Sequence, residues 1–307
     1  MNQYNANFIP SVNLSLDENI ITKELDDAFI AYGFCVITDT GISEKISKAM
    51  LQACRNFHML DYDTKNNLSI NAYHRGYIAP ETSTIFTSSV SKVTQPNTSS
   101  SFMIMHDVNK YDPRYGTDLQ GPNQWPQELQ DFKASIQSYQ REIQRVARRL
   151  ILILFKVLGV SFNDYLKWFS QPTEFLRLLQ YTAPTSVSEK KYFGSAPHTD
   201  HGFITLVLQD DIGGLEVESR QCEWLPILTG KSGFVVNVAD LLAHLSNNRW
   251  RSSPHRVKNP VSGSRYSVAY FFDPCMEANV TSCGGSIINY GDYILSKFDT
   301  NYDYRRG

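Results

Sequence analysis

Between Phe175 and Phe272 the chain carries six short β-type runs: 175–181, 203–209, 215–218, 234–238, 256–258 and 266–272. Turn signals separate them, among them Asp211-Ile212-Gly213-Gly214, Thr229-Gly230-Lys231 and Ser262-Gly263-Ser264. Short strands in such close succession favour two packed sheets, a sandwich or a jelly roll. The fold class expected is α+β with a mainly β core, preceded and flanked by helices.

The helices come first. Asp17-Glu18 opens a pattern in which Ile21, Leu25, Ala28, Phe29 and Tyr32 recur at helical spacing, and Gly33 closes it. A buried strand is expected over 34–38, and Ser43 caps a second helix with Ile46, Met50, Cys54 and Phe57 on one face. After Trp125-Pro126 the longest pattern runs from Leu129 to Val157 and ends at Gly159. From Thr82 to Ser101 the composition is mostly Ser, Thr, Val, Asn and Pro, which reads as a long surface loop or an irregular hairpin placed to cover the substrate, with a disordered insert as the bland alternative. No repeat or linker divides the chain. Residues 1–125 read as an N-terminal helix and strand region, and 126–307 as the long helix and jelly-roll core, folded together as one unit.

Composition excludes several classes. The 307 residues carry a net charge of −2 with no long charged block, so no nucleic-acid or membrane-surface partner is expected. Five cysteines, an odd number at wide spacing without a Cys-x-x-Cys, argue against a disulfide framework or a zinc ribbon. No apolar run spans a bilayer and no leader pattern opens the chain, so a cytoplasmic monomer is expected.

The chemistry concentrates in Ala196-Pro197-His198-Thr199-Asp200-His201-Gly202. On an extended segment, residues two apart share a face, so His198 and Asp200 would stand side by side. One imidazole and one carboxylate make two-thirds of the facial triad of non-haem Fe(II) oxygenases. Alone the pair is weak: with seven histidines, roughly one such pair arises by chance. A third ligand is best sought among the other histidines. His255, opening a β-type run after Pro254, can reach the same face in a jelly roll; the bland alternative is a turn histidine. Ten residues on, Arg265 and Ser267 share a face, and an Arg fork with a neighbouring hydroxyl suits a carboxylate such as the far end of 2-oxoglutarate. A lone Arg-x-Ser is otherwise an ordinary edge strand. His201 and His244 are weaker metal candidates, and His58, His74 and His106 show no partner pattern.

Taken in order, His198-Thr199-Asp200, Gly213-Gly214-Leu215, Val236-Asn237-Val238, Ser246-Asn247, His255-Arg256-Val257 and Arg265-Tyr266-Ser267, with the early Ile9-Pro10 and Tyr32-Gly33-Phe34, resemble the isopenicillin N synthase-like family of Fe(II)/2-oxoglutarate-dependent dioxygenases. The resemblance covers nearly the whole chain. It implies a distorted double-stranded β-helix and an oxidoreductase. It implies Fe(II) on His198, Asp200 and His255, and 2-oxoglutarate on Arg265, Ser267 and Tyr181. O2 would be consumed, ascorbate would serve as an auxiliary reductant, and succinate and CO2 would be released. The activity implied is oxidation of an unactivated C–H of a small molecule: hydroxylation, desaturation or cyclisation. No catalytic side chain beyond the metal ligands is implied.

The chain departs from the family pattern at Leu179, where Asn is common, at Ala239, at Thr38-Asp39-Thr40-Gly41, and at Ser100-Ser101, where many members carry an acidic pair. None of these is a metal-ligand position, though at Leu179 a co-substrate contact common in the family is absent. Tyr77, Phe102 and Phe272 are candidate walls of a substrate pocket. Two other readings stay open: an iron oxidase of the same fold that needs no 2-oxoglutarate, and a catalytically silent jelly-roll binding protein.

Overall fold

A computed structural model describes residues 8–82, 97–184, 193–230 and 232–301. The first part runs β1 (Ser11–Asn13), α1 (Glu18–Ala31), β2 (Phe34–Thr38), α2 (Glu44–His58), α3 (Tyr62–Asn67), β3 (Gly76–Ile78), β4 (Ser100–Met105), α4 (Phe132–Leu158) and α5 (Phe162–Trp168). The β-rich part follows with β5 (Thr173–Thr182), β6 (Ser195–His198), β7 (Ile204–Gln209), β8 (Leu215–Glu218), β9 (Trp224–Pro226) and β10 (Phe234–Val238). After α6 (Asp240–Leu245) come β11 (His255–Val257), β12 (Ser264–Asp273), β13 (Asn279–Thr281), β14 (Ile287–Asn289) and α7 (Tyr290–Asn301).

Eight strands form one sheet in the order β1-β2-β10-β7-β12-β5-β4-β3, and four form a second, β6-β11-β8-β9. Strands distant in the chain thus lie side by side, as a jelly roll requires. The spine of the large sheet is β5 against β12, antiparallel over ten residue pairs from Ser264 opposite Thr182 to Asp273 opposite Thr173.

Strand alternation builds two cores. On β12, Tyr266, Val268, Tyr270 and Phe272 pack outward against the helices, whereas Ala269 faces the space between the sheets. On β5, Leu176 and Leu178 go outward while Leu179 and Tyr181 go inward. On β2, Cys35 and Ile37 go outward, and Phe34 and Val36 inward. The outer core is closed by α4, which buries Ile136, Tyr139, Ile143, Val146, Leu150 and Leu154 at helical period. It ends where Gly159 turns left-handed at φ 68°. Gly33, at φ +68°, brings β2 so near Arg251 that an added Cβ would overlap its carbonyl oxygen.

The expected strands recur with ends shifted by a residue or two, and β2, β8 and β10 match in full. The expected Thr82–Ser101 loop differs at its end. Ser100 and Ser101 already belong to β4 and are buried, because their backbone groups pair with Gln180 and Leu179 of β5. Residues 83–96 of that segment lie outside the described residues. Among the described residues, no helix is long and apolar enough to cross a membrane.

Candidate metal centre

The site is assembled by the small sheet. Strands β6 and β11 pair antiparallel with His255 opposite His198, so two imidazoles 57 positions apart in the chain become neighbours. Their ring centroids are 4.3 Å apart. Strand β6 ends at His198, so Asp200 is not delivered by strand alternation as the sequence suggested. It lies in the turn beyond, and the fold holds that turn from outside. Backbone N–H groups of Asp240 and Leu241, at the start of α6, donate to the carbonyls of Asp200, His201 and Gly202. Asp240 itself accepts from Thr199 Oγ1 at 3.2 Å and from Ser252 Oγ at 2.6 Å.

The three side chains converge. Asp200 Oδ1 lies 3.8 Å from His198 Nε2 and 3.7 Å from His255 Nε2, and the three potential ligand atoms fall within 4.8 Å of one another. Each remaining polar atom is already used. His198 Nδ1 donates to Ala196 O at 2.7 Å and His255 Nδ1 to Ser253 O at 3.3 Å, which leaves each Nε2 as the acceptor. Asp200 Oδ2 accepts from Thr205 Oγ1 at 2.5 Å and Asn237 Nδ2 at 2.8 Å, which leaves Oδ1. Burial, with His255 alongside, pushes the His198 imidazolium down to about 3, so the ring is neutral at physiological pH. Burial opposes ionisation of Asp200, but the two imidazoles and the Thr205 and Asn237 hydrogen bonds outweigh it and keep its pKa low. Two neutral nitrogens and one carboxylate oxygen with a common focus fit a divalent transition metal that keeps open positions.

One end of the space beside this focus is cationic. Arg265, 1 % exposed, donates to Gln209 Oε1 at 2.8 Å and to Ser267 Oγ at 3.3 Å, and its guanidinium lies 4.7 Å from the Tyr181 ring centre. Among the described residues no carboxylate meets it, and its Nε has no partner. A buried cation held only by neutral groups is costly unless an anion arrives. Tyr181, Arg265, Ser267 and the three converging side chains all line one cavity of about 70 Å³. A dicarboxylate bound there would meet Arg265 with its far end.

A second cavity, about 120 Å³, opens on the other side of His198 and Asp200 and is walled by Phe175, Phe271, Phe298 and His74. The expected walls are elsewhere. Tyr77, Phe102 and Phe272 are buried in the outer core. Phe102 packs on Phe57 at 4.1 Å and Phe272 stacks on Phe169 at 5.3 Å. Parity explains the Phe272 correction: it alternates with Arg265, whereas Phe271 shares the inward face of Arg265 and Ser267. The same parity, counted from Tyr181, reaches Arg177 and Phe175, which the sequence reading passed over. His201 lines the second cavity, with Nδ1 3.5 Å from Asp240 Oδ2. His244 is remote, its Nε2 2.8 Å from Ser286 Oγ. Asp273 also borders this cavity. Its oxygens accept from Phe203 N–H at 2.6 Å and Tyr290 OH at 2.9 Å, and burial, aided by Asp200, pushes its pKa up to about 7.

Comparison with known proteins agrees with this geometry. Residues 173–274 match the 2OG-Fe(II) oxygenase superfamily, and residues 9–128 match the N-terminal region described for non-haem dioxygenases in morphine synthesis. The chain is 31% identical to kihadalactone A synthase LFS of Citrus sinensis, over 96% of this chain and 92% of that protein. It is 28% identical to the 2-oxoglutarate-dependent dioxygenase caaD of Aspergillus niger, over 92% and 87%. The fold matches a full-length Neurospora crassa protein, solved in complex with alpha-KG and thymine, at a TM-score of 0.82 and 24% identity, covering 97% of this chain and 98% of that one. With a jelly roll, a His-Asp-His focus and relatives along nearly its whole length, the chain belongs to the isopenicillin N synthase-like Fe(II)/2-oxoglutarate-dependent dioxygenases.

Proposed function

We propose that His198, Asp200 and His255 hold Fe(II), that Arg265, Ser267 and Tyr181 seat 2-oxoglutarate, and that a small molecule enters the cavity walled by Phe175, Phe271 and Phe298. The observation that carries the reading is the convergence of three ligand atoms beside a buried arginine that meets no carboxylate among the described residues. Iron with its keto acid and O2 supplies the oxidising power for an unactivated C–H, releasing succinate and CO2.

The chain's own residues then have defined tasks. Ala196 and Ser253 carbonyls fix the two imidazoles by their Nδ1–H groups, which leaves both Nε2 atoms free to hold the metal. Thr205 and Asn237 hold one carboxylate oxygen of Asp200 and present the other. Arg265 receives the far carboxylate of the keto acid, and Ser267 completes that seat. The apolar walls of both cavities exclude bulk water from the reacting centre. All five cysteines are free, which suits a reducing cytoplasm.

The test is anaerobic addition of Fe(II) followed by 2-oxoglutarate. A visible charge-transfer band is expected, absent in His255→Ala. Iron binding without a band on adding the keto acid would favour an oxidase that does not use it.

A further inference from the structure

We propose that Arg177 anchors the carboxylate of the substrate, and that the substrate is a small ring-bearing monocarboxylic acid. This deepens the reading of the iron site and rests on it.

Arg177 sits on β5 between Phe175 and Leu179, on the inward face, opposite Ala269 of β12 and Met103 of β4. It lines both cavities, at the junction between the Arg265 end and the aromatic end. Its Nε donates to Ser101 Oγ at 3.0 Å, which fixes the plane of the guanidinium. The two terminal nitrogens have no acceptor among the described residues, and no carboxylate there pairs with them. A fork of donors held in plane at its root and open at its tip matches a carboxylate in two-point contact.

A second donor points the same way. Asn97, 3 % exposed, lines the cavity and accepts from Ala196 N–H at 2.9 Å through Oδ1. Its amide nitrogen has no acceptor among the described residues. Among the described residues, the one carboxyl bordering this cavity apart from Asp200 is Asp273, and both its oxygens are engaged by Phe203 and Tyr290. The cavity therefore offers donors to a ligand that brings acceptors.

Charge gives the same answer. Iron with one carboxylate ligand, a doubly charged keto acid and Arg265 together sum to no net charge. Arg177, half-buried, is then left over with no carboxylate partner among the described residues, and a monoanion would neutralise it. Size and shape give the rest. An apolar cavity of ~150 Å³ takes one benzene ring; this one, partly polar and about 120 Å³, is of the same order and limits the ligand to a small single ring. Phe175 lies edge-on to Phe271 and Phe298 at 6.3 and 5.5 Å, and His74 stacks on Phe298 at 4.4 Å. Such walls suit a flat ring.

The experiment uses the full chain with Fe(II) and 2-oxoglutarate, without oxygen. Single-ring carboxylic acids and their primary amides are titrated, and the perturbation of the charge-transfer band reports binding. At least one acid is expected to bind ~30-fold or more tightly than its amide. Arg177→Gln should bring the acid to the level of the amide. Arg177→Lys, which keeps the charge and loses the fork, should retain a preference for the acid at reduced affinity. Amides equal to acids, no acid binding at all, or an unchanged acid affinity in Arg177→Gln would each overturn the proposal. So would Arg177→Gln raising the 2-oxoglutarate requirement while sparing the acid, since Arg177 would then serve the keto acid. If Fe(II) and 2-oxoglutarate give no band in the unmodified protein, the underlying site reading fails, and this proposal with it.

Discussion

Asn237 Nδ2 stands 2.8 Å from Asp200 Oδ2, and together with Thr205 it decides which oxygen of that carboxylate remains available. Asn237 lies on β10 and Thr205 on β7, directly opposite each other in the large sheet. The carboxylate of the small sheet's turn is therefore aimed by the large sheet. Outer partners of this kind typically contribute ~10–100-fold to metal affinity. Asn237→Ala and Thr205→Val should each weaken Fe(II) binding by about that factor, with His255→Ala losing most of it. A metal titration of the four proteins checks this, and unchanged affinity in both Asn237→Ala and Thr205→Val would show that Asp200 needs no aiming.

Arg265 should govern the keto acid and not the metal. Truncating one side of a buried charge pair typically costs about 2–5 kcal/mol. Arg265→Leu should thus raise the 2-oxoglutarate requirement by ~30-fold or more, while Fe(II) binding survives. A shorter 2-oxo acid without the distal carboxylate should lose its disadvantage in the variant. Titration of both keto acids against both proteins is the check, and an unchanged requirement would remove Arg265 from that role.

Gly202 should not tolerate alanine. A Cβ there would overlap Asp273 Oδ1. Relief requires moving either the turn that carries Asp200 or the hydrogen bonds Asp273 makes to Phe203 and Tyr290. Overpacking of this kind costs on the order of 1–3 kcal/mol. Urea unfolding of Gly202→Ala should show that loss, together with weaker Fe(II) binding. Wild-type stability would mean the turn has slack.

His58 should make the metal-free protein acid-sensitive. It is buried, hydrogen-bonded to Leu178 O at 3.2 Å and to Ser100 Oγ at 3.2 Å, and burial holds it down to about 3. In the unfolded chain it titrates near ~6.5. As pH falls from ~6.5 toward 3, the unfolded chain takes up a proton that the fold refuses, so stability drops, by at most ~1.4 kcal/mol per pH unit. Above ~6.5 the term is flat. In His58→Gln this dependence should vanish, so its stability relative to wild type should improve on going from pH 7 to pH 5. Parallel curves for the two proteins in urea would show that His58 is protonated in the fold.

Much of the site was legible because its signals are local. Arg265 and Ser267 needed only alternation within one strand, and His198 and His255 needed only the expectation that jelly-roll neighbours are distant in sequence. Alternation was the wrong reason for Asp200, since a turn pinned by α6, Thr205 and Asn237 presents it, and those partners come from three other elements. The pocket was harder. Tyr77 and Phe102 are aromatic for the sake of packing on Phe57, and nothing local distinguishes that from lining a cavity. Phe271, Phe175 and Arg177 were within reach, had the parity of Arg265 been followed along β12 and across to β5. Phe298 was not, because it comes from the C-terminal helix, whose place over the barrel is a tertiary fact.

The uninterrupted ladder between β5 and β12 works as a gauge. It carries the Arg265–Tyr181 rung and the Ala269–Arg177 rung four residues apart, a span of ~14 Å at ~3.4 Å per residue. Two reading heads are thereby mounted on one rigid scale, with the iron focus beside it. On the roles proposed for Arg177 and Arg265, exchanging side chains at the Arg177 end would recalibrate what is oxidised without disturbing how the oxidant is charged. Sliding the ladder by a single notch would turn every inward head outward and erase both readings at once. Diversification of such a barrel is thus free in its side chains and forbidden in its register.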